Sequence, residues 1–295
     1  MAESLLDNTF LARLEYLYVV TRELFFGHVS AERQSRKFGV GLEFADYRAY
    51  TPGDDFRYID WLAYARRDDL LIKLFTEEQA ARIYCVIDGS QSMTVGAPEK
   101  LLYAKKIAAA LGYIGLSNLD AVTIVVFDEQ LREGSRALQG RGQLAQMMAY
   151  LDGIQGKGAS TSMGLAFEQF VRRYKGAAGI VVLLSDFLDR DGYEQALRLL
   201  HYHHFDVIAV QVNERNEVDP PYTGDLELID SENGERRVVQ MTPALIETYR
   251  KSFTDHYSEL ERLCKVLRRS YVPVVSDVPF ENVIFDVFRR GGFLR

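Results

Sequence analysis

Cysteine is scarce in this sequence: only Cys85 and Cys264 occur among 295 residues. One lies in a strand-like run and the other in a helix-like run, so neither a disulfide framework nor a cysteine-based zinc site is indicated. Long apolar runs are also missing, because no stretch approaches the roughly 18 residues of a membrane-spanning helix. The first residues lack the pattern of a signal peptide. We therefore expect a cytoplasmic protein with no membrane span.

Excess positive charge is a further absence. The chain carries 35 Lys and Arg against 42 Asp and Glu, and its formal net charge is -7. Proteins that bind nucleic acids need clustered basic residues to neutralise phosphates, so we expect no nucleic-acid partner. Apolar material is plentiful, since 47% of the residues are hydrophobic. This is enough for a packed core.

Buried-strand patterns alternate with helical patterns from residue 81 onward. Several runs are apolar almost throughout, as strands covered on both faces must be. Such alternation predicts an α/β fold, a doubly wound and mostly parallel sheet with helices on both faces, because parallel neighbours need right-handed crossovers. The predicted strands cover 81–88, 121–127, 179–186, 205–212 and 271–275, and the predicted helices between them cover 98–117 (with Pro98 in its first turn), 141–151, 162–174 and 193–203.

The remaining segments show other patterns. Apolar residues at helical spacing predict an amphipathic helix over 5–27. Residues 39–78 are short apolar and aromatic pieces around a Pro-Gly turn, which predicts short strands. Two extended runs around Asn233-Gly234 predict a hairpin, and a long helix should follow it. We therefore predict two domains: 1–80, an N-terminal helix and a small β region, and 81–295, the sheet domain with a hairpin insertion near 225–241.

Polar side chains stand at two of the predicted strand ends, where open parallel sheets bind ligands. The first buried strand ends in Asp88, with Ser90 and Ser92 on alternate residues after it, and the third ends in Asp186. A Gly-rich loop between them offers Thr161, with its two serine neighbours as alternatives. Carboxylates and hydroxyls are hard oxygen ligands, which suit Mg²⁺ or Mn²⁺ and not zinc or copper. The sequence therefore predicts a Mg²⁺ site, with Mn²⁺ as the alternative ion.

This set of residues resembles the metal-ion-dependent adhesion site of von Willebrand factor A domains, in residue type and in order. The resemblance implies that Ser90 and Ser92 bind the metal directly and Thr161 directly or through water. It implies that Asp88 and Asp186 act largely through water. An acidic side chain of a protein partner would fill the sixth position.

The segment upstream of the sheet domain carries a second resemblance. Residues 41–78, GLEFADYRAYTPGDDFRYIDWLAYARRDDLLIKLFTEE, closely resemble the hallmark of the bacterial family called domain of unknown function 58. Together with the A-like domain, this resemblance covers most of the chain. Members of that family commonly accompany MoxR-type AAA+ ATPases and are thought to act with them as adaptors or maturation factors. The resemblance therefore implies a MoxR-type AAA+ ATPase as partner.

Charged and aromatic residues cluster around the turn of this upstream segment. One interpretation is a turn and an ion-paired strand of the scaffold. The alternative is a surface for a partner, to which Trp61 and Arg66 would contribute most. The residues of this candidate partner surface are Asp54, Asp55, Arg57, Trp61 and Arg66.

The motifs favour a binding module over an enzyme. Neither a Gly-x-Ser-x-Gly nucleophile turn nor a phosphate-binding P-loop is present. A phosphatase with an acidic nucleophile at Asp88 would need a second Asp where Ser90 stands. We therefore expect a metal-dependent protein-binding adaptor with no catalytic residues. The alternatives are a Mg²⁺-dependent phosphoester hydrolase and a structural protein whose metal site is vestigial.

Overall fold

The computed structural model describes residues 7–25, 43–76, 80–96, 99–156, 161–229 and 234–290. The chain divides into two compact units, of which the smaller is Leu24–Ala80 and the larger comprises Met1–Glu23 and Ala81–Arg295. The opening helix therefore belongs to the unit that contains the main sheet. The predicted domain 1–80 instead groups this helix with the small β region.

The smaller unit contains a two-stranded antiparallel sheet. Its strands are β1 (Glu43–Ala49) and β2 (Leu71–Thr76). Between them lies helix α2 (Trp61–Arg67), which begins at Asp60 because that carboxylate accepts hydrogen bonds from two backbone N–H groups of the first turn. The sequence predicted short strands for residues 39–78, and this prediction is wrong for 61–67, which are helical.

The larger unit is built on a six-stranded sheet in the order β10-β7-β6-β3-β4-β5. All neighbouring strands are parallel except β4 and β5. The predicted fold class, a doubly wound and mostly parallel α/β sheet, is confirmed. The strands are β3 (Arg82–Asp88), β4 (Ala121–Phe127), β5 (Leu138–Gln139), β6 (Ile180–Ser185), β7 (Asp206–Asn213) and β10 (Ser270–Val275).

Helices and a hairpin complete this unit. The hairpin, β8 (Gly224–Ile229) with β9 (Arg236–Met241), lies where the sequence predicted it, although Asn233 is outside the described residues. Pro98 and residues 157–160 of the Gly-rich loop are also outside them. No helix among the described residues is long and apolar enough to cross a membrane. The helices are α1 (Asn8–Phe25), α3 (Lys100–Ser117), α4 (Leu144–Asp152), α5 (Met163–Arg173), α6 (Arg190–Tyr202), α7 (Arg215–Val218), α8 (Pro243–Val266) and α9 (Phe280–Arg290).

Strand β3 is buried on both faces, which explains its continuous apolar sequence. On one face the Tyr84 ring packs edge-on against Phe170 and Phe205, at centroid distances of 5.4 and 5.9 Å. On the other face Cys85 is fully buried, and its sulfur lies 3.9 Å from the carbonyl oxygen of Ala108 on α3. Alternate residues of a strand point to opposite faces, so both layers must be filled by apolar side chains.

Helix α1 packs on the larger unit through aromatic contacts. The rings of Phe10 and Phe280 lie 5.3 Å apart, and Tyr18 meets Tyr113 edge-on at 5.9 Å. Such pairs stabilise beyond the apolar area that they bury. These contacts explain why the opening helix belongs to the sheet unit.

The chain changes direction across the sheet beside β3. It runs from β3 to β4 on one side and then returns to β6 on the other side of β3. In doubly wound sheets this reversal opens a crevice at the carboxyl ends of the two strands, where ligands bind. The ends of β3 and β6 carry Asp88 and Asp186, so the fold brings the predicted acidic residues to this crevice.

Candidate metal site

Asp88 is the last residue of β3 and is held by hydrogen bonds to both carboxylate oxygens. Its Oδ1 accepts from the backbone N–H of Ser90 at 2.9 Å, and its Oδ2 accepts from the Ser185 hydroxyl at 2.6 Å. The N–H of Gly89 donates to the carbonyl of Phe127 at 2.8 Å, which fixes the turn to the end of β4. Asp88 is only 1% exposed. The carboxylate is therefore buried and fixed in orientation.

The two serines of the motif point their hydroxyls at each other. Ser90 Oγ and Ser92 Oγ lie 3.0 Å apart, and Ser90 is fully buried. A short 3-10 turn begins at Ser92, and the N–H of Met93 donates to the Ser90 carbonyl at 3.3 Å. The turn thus gathers two hydroxyl oxygens beside Asp88, as a shared ligand would require.

Asp186 follows β6 and pairs with a buried lysine. Lys100 Nζ lies 2.9 Å from Asp186 Oδ2 and 2.6 Å from Glu217 Oε1. The Lys100 side chain is fully buried at the start of α3. Sequence reasoning missed both Lys100 and Glu217, because one lies in an apparently ordinary helix and the other in the four-residue helix α7.

The segment around Thr161 lies at the same edge of the sheet. The N–H of Ser162 donates to the carbonyl of Asp128, directly after β4, at 3.1 Å. Gly156, on the other side of the loop, packs against the motif, since a Cβ there would lie 3.3 Å from the Ser90 carbonyl oxygen. Thr161 itself is half-buried. Both ends of the loop are therefore anchored beside the strand ends that carry the other candidate ligands.

Asp189 connects the two helices that begin near the site. Its Oδ2 accepts from the N–H of Met163 at 2.8 Å, at the start of α5. Its Oδ1 accepts from the N–H of Gly192 at 3.1 Å, in the first turn of α6. Asp189 thus caps both helices and holds the residue that follows Thr161 and Ser162 in place.

Helix α8 covers the backbone at the end of β6. The Tyr257 hydroxyl lies 3.1 Å from the Asp186 carbonyl oxygen and 3.2 Å from Asn213 Oδ1. His256 Nε2 lies 2.9 Å from the carbonyl oxygen of Phe187. Sequence reasoning missed these contacts, because no local pattern relates a long amphipathic helix to a particular strand end.

The charges at the site do not balance. Burial, followed by the neighbouring charge of Asp186, raises the pKa of Asp88 to about 7. Burial alone would lower the pKa of Lys100, but the charges of Asp186 and Glu217 more than offset this effect and raise it. Lys100 contacts two of the carboxylates, Asp186 and Glu217, and the third, Asp88, is influenced by the charge of Asp186. The carboxylates therefore outnumber the ammonium group, so the site favours an additional cation.

The donor set fits a hard divalent cation. Asp88, Ser90, Ser92 and Asp186 offer only oxygen atoms, which Mg²⁺ and Mn²⁺ prefer. Among the described residues, no group of three or more His, Cys, Asp or Glu side chains could hold a metal ion. An ion here would therefore depend on the hydroxyls of the motif, and Mg²⁺ usually retains water beside such ligands.

The candidate partner surface lies in the smaller unit. The Asp54 carboxylate accepts two hydrogen bonds from the Arg48 guanidinium, at 2.6 and 2.7 Å, and these bonds hold the pKa of Asp54 well below its ordinary value. Asp55 accepts at 2.6 Å from Arg57 Nη2. Three residues of the candidate partner surface, Asp54, Asp55 and Arg57, therefore form bonds within the smaller unit.

The two residues of this surface that lie on α2 are exposed. The Trp61 side chain is 58% exposed and meets Tyr64 edge-on at 6.4 Å, and Arg66 is also exposed. Aromatic and arginine side chains are frequent energetic centres of protein interfaces. Their role in binding a partner stays a prediction.

The sheet, its direction change and the oxygen atoms at its strand ends define a doubly wound α/β protein with a candidate cation site in its crevice. The chain belongs to the family described as protein of unknown function DUF58, whose sequence model matches residues 46–259. This match confirms the family predicted from residues 41–78.

Two relatives and two solved structures that are similar to the chain come from bacteria. Uncharacterized protein Rv1480 of Mycobacterium tuberculosis and uncharacterized protein Mb1516 of Mycobacterium bovis are each 25% identical, over 98% of this chain and 92% of the relative. Conserved hypothetical protein BatB from Bacteroides thetaiotaomicron has a TM-score of 0.46 and 13% identity, over 72% of this chain and 99% of that one. An aerotolerance-related membrane protein from Bacteroides fragilis has a TM-score of 0.47 and 17% identity, over the same shares.

Proposed function

We propose that this chain is a metal-dependent protein-binding module. Ser90, Ser92 and Thr161 hold Mg²⁺, or Mn²⁺ as the alternative ion, and Asp88 and Asp186 support it by their charge. The bound ion supplies an electrophilic centre for an acidic side chain of a protein partner. Asp88 also orients the turn that bears the serine hydroxyls, since it accepts a hydrogen bond from the Ser90 N–H. Asp186 accepts from the Leu188 N–H in its own strand-end turn.

The observation that carries this proposal is the pair of serine hydroxyls 3.0 Å apart beside two buried carboxylates. Neutral hydroxyls donate oxygen atoms without cancelling the charge of the ion. An ion held mainly by such groups keeps affinity for an incoming carboxylate. The excess of carboxylates over ammonium groups nearby supports a cation at this place.

A binding role is favoured over catalysis by the state of the nearby bases. Lys100 Nζ is bonded to two carboxylates, and His256 Nε2 lies within hydrogen-bond distance of a backbone carbonyl oxygen. A hydrolase would need a base within reach of a water molecule or substrate proton. Release of phosphate from a generic phosphoester in the presence of Mg²⁺, above the rate of the Ser92→Ala variant, would contradict this part of the proposal.

The partner that we propose is a MoxR-type AAA+ ATPase, with which the chain acts in the assembly or maturation of a protein complex in the cytoplasm. This part rests on the family to which the chain belongs. In the smaller unit, Trp61 and Arg66 offer a second contact with the partner, because both are exposed on α2. The metal site makes the binding of the partner depend on the ion, and α2 offers apolar surface that the partner can bury.

The experiment measures binding of a purified MoxR-type AAA+ ATPase to the immobilised chain, in Mg²⁺ and in EDTA. We expect binding in Mg²⁺ and loss in EDTA or with Ser92→Ala. The matched control is Ser258→Ala, the same change at an exposed position of α8, which should bind as the wild type does. Equal binding in Mg²⁺ and EDTA would show that the ion site is not where the partner binds.

A further inference from the structure

Lys100 lies between the candidate ion site and helix α8. Its side chain is fully buried, and its Nζ bonds to the carboxylates of Asp186 and Glu217. A buried ammonium group is costly unless it is paired and hydrogen-bonded, so its place depends on these two partners. Asp186 is therefore shared between an internal cation of the chain and the proposed external one.

Both residues whose carboxylates contact Lys100 are also bonded to α8 through their backbone carbonyls. The Tyr249 hydroxyl donates to the backbone carbonyl of Glu217 at 2.7 Å. The Tyr257 hydroxyl lies 3.1 Å from the backbone carbonyl oxygen of Asp186. The two tyrosines are about two helical turns apart, so α8 contacts the backbone of both residues that bind the ammonium group.

Electrostatics sets the direction of the effect. An ammonium group a few Å from a divalent ion repels it, and in the interior this repulsion is screened much less than in water. Lys100 also occupies Asp186 Oδ2, at 2.9 Å, which removes that oxygen from an ion. Glu217 acts in the opposite direction, because its charge balances that of Lys100 and draws the ammonium away from Asp186.

We propose that Lys100 is a positioning residue that weakens ion binding and couples ion occupancy to helix α8. Lys100 competes with the ion for the Asp186 carboxylate. It also binds the Glu217 carboxylate, and the backbone carbonyl of Glu217 is bonded to Tyr249 of α8. The inference rests on the ion site of the proposed function. It adds an internal competitor for the ion and a route by which occupancy reaches α8.

The test measures Mg²⁺ affinity by titration calorimetry on the full chain for three variants. Lys100→Met removes the charge at similar volume, and we expect Mg²⁺ to bind about tenfold more tightly, while the thermal stability in EDTA falls. In Glu217→Gln only the Asp186 carboxylate balances the charge of Lys100, and Mg²⁺ binding should weaken severalfold. Lys265→Met is the control, because it removes the same charge from an exposed position on α8.

A second readout follows the coupling to α8. Hydrogen exchange of the Tyr249–Tyr257 segment should respond to Mg²⁺ in the wild type and in Lys265→Met. The response should be lost in Glu217→Gln, at an Mg²⁺ concentration that saturates the variant. This readout remains decisive if Lys100→Met does not fold, because Glu217 is partly exposed and its loss is milder.

The outcomes separate the two proposals. Tighter Mg²⁺ binding in Lys100→Met, together with lower stability in EDTA, supports the inference. If the lysine were purely structural, its loss would lower the Mg²⁺ affinity as well as the stability. Unchanged affinity in Lys100→Met, or an unchanged α8 response in Glu217→Gln, overturns the inference while the ion site stands. Absence of Mg²⁺ binding in the wild type overturns both the ion site and the inference.

Discussion

Charged side chains are placed differently at the ion site and in the smaller unit. At the ion site Asp88, Asp186 and Lys100 are almost completely buried. In the smaller unit the Arg57–Asp55 pair stands in water, with 80% of the arginine side chain exposed. Exposed pairs contribute little to stability, whereas breaking a buried pair leaves a charge without a partner. Charge changes should therefore have large effects at the ion site and small ones at exposed pairs of the smaller unit such as this one.

The largest effect on stability is expected from Asp186→Ala. The variant leaves buried Lys100 with Glu217 alone, and the free energy of unfolding in EDTA should fall by about 3 kcal/mol. Urea unfolding followed by circular dichroism measures it. The matched control is Asp54→Ala, the same change at an exposed turn whose carboxylate binds Arg48. Equal losses in the two variants would contradict the contrast between the two regions.

Asp88→Asn should separate ion binding from folding. We expect Mg²⁺ affinity to fall at least about 100-fold, roughly 2.7 kcal/mol, because the variant loses a charge that supports the ion. Stability in EDTA should stay constant or rise slightly, since burial and the charge of Asp186 disfavour the ionised form of Asp88. Calorimetry and thermal melts measure the two effects. A stability loss as large as that of Asp186→Ala would show that Asp88 is needed for the fold.

The sequence predicts the main sheet and four of the candidate ligands together. Continuous apolar runs identify strands buried on both faces, and the carboxyl ends of parallel strands share one edge. Asp88, Ser90, Ser92 and Asp186 can therefore be assigned to one site before any coordinates are known. The structure adds the hydrogen bonds that fix their orientation.

Lys100 and the helix of the smaller unit could not be predicted in the same way. Lys100 meets partners 86 and 117 residues away, and this contact depends on which helix passes which strand end. The stretch Trp61–Arg67 has aromatic residues that favour strands, so its local preference is ambiguous. The hydrogen bonds from the Leu62 and Ala63 N–H groups to the Asp60 carboxylate stabilise the helical start. These bonds are visible only in the structure.

Thr161→Ala should have an intermediate effect and sharpens the assignment of the loop. Loss of one hydroxyl ligand should weaken Mg²⁺ binding about tenfold, or roughly 1.4 kcal/mol, with little change in stability. Ser162→Ala is the control, because it removes the hydroxyl next to Thr161 and keeps the backbone bond from the Ser162 N–H to Asp128. If Ser162→Ala weakens binding and Thr161→Ala does not, the ligand is the serine.

Asp60, a buried carboxylate of the smaller unit, should make the stability of that unit depend on pH. Hydrogen bonds from Tyr47 first, then from the backbone of α2, and an ion pair with Lys73 lower the pKa of Asp60 to about 2. An unfolded Asp titrates near pH 4, so the folded unit gains stability above that pH. This gain is lost as the pH falls from about 4 to about 2, because the unfolded chain takes up the proton first.

Trp61 is the only tryptophan of the chain, so its fluorescence reports on the smaller unit during urea unfolding. The variant Asp60→Asn keeps a helix-capping side chain without the titration. The difference in urea midpoint between wild type and variant should be constant at neutral pH and shrink between about pH 4 and pH 2. A difference that does not change with pH would mean that Asp60 acts only as a cap, and that its charge contributes nothing even where it is bonded to Tyr47 and Lys73.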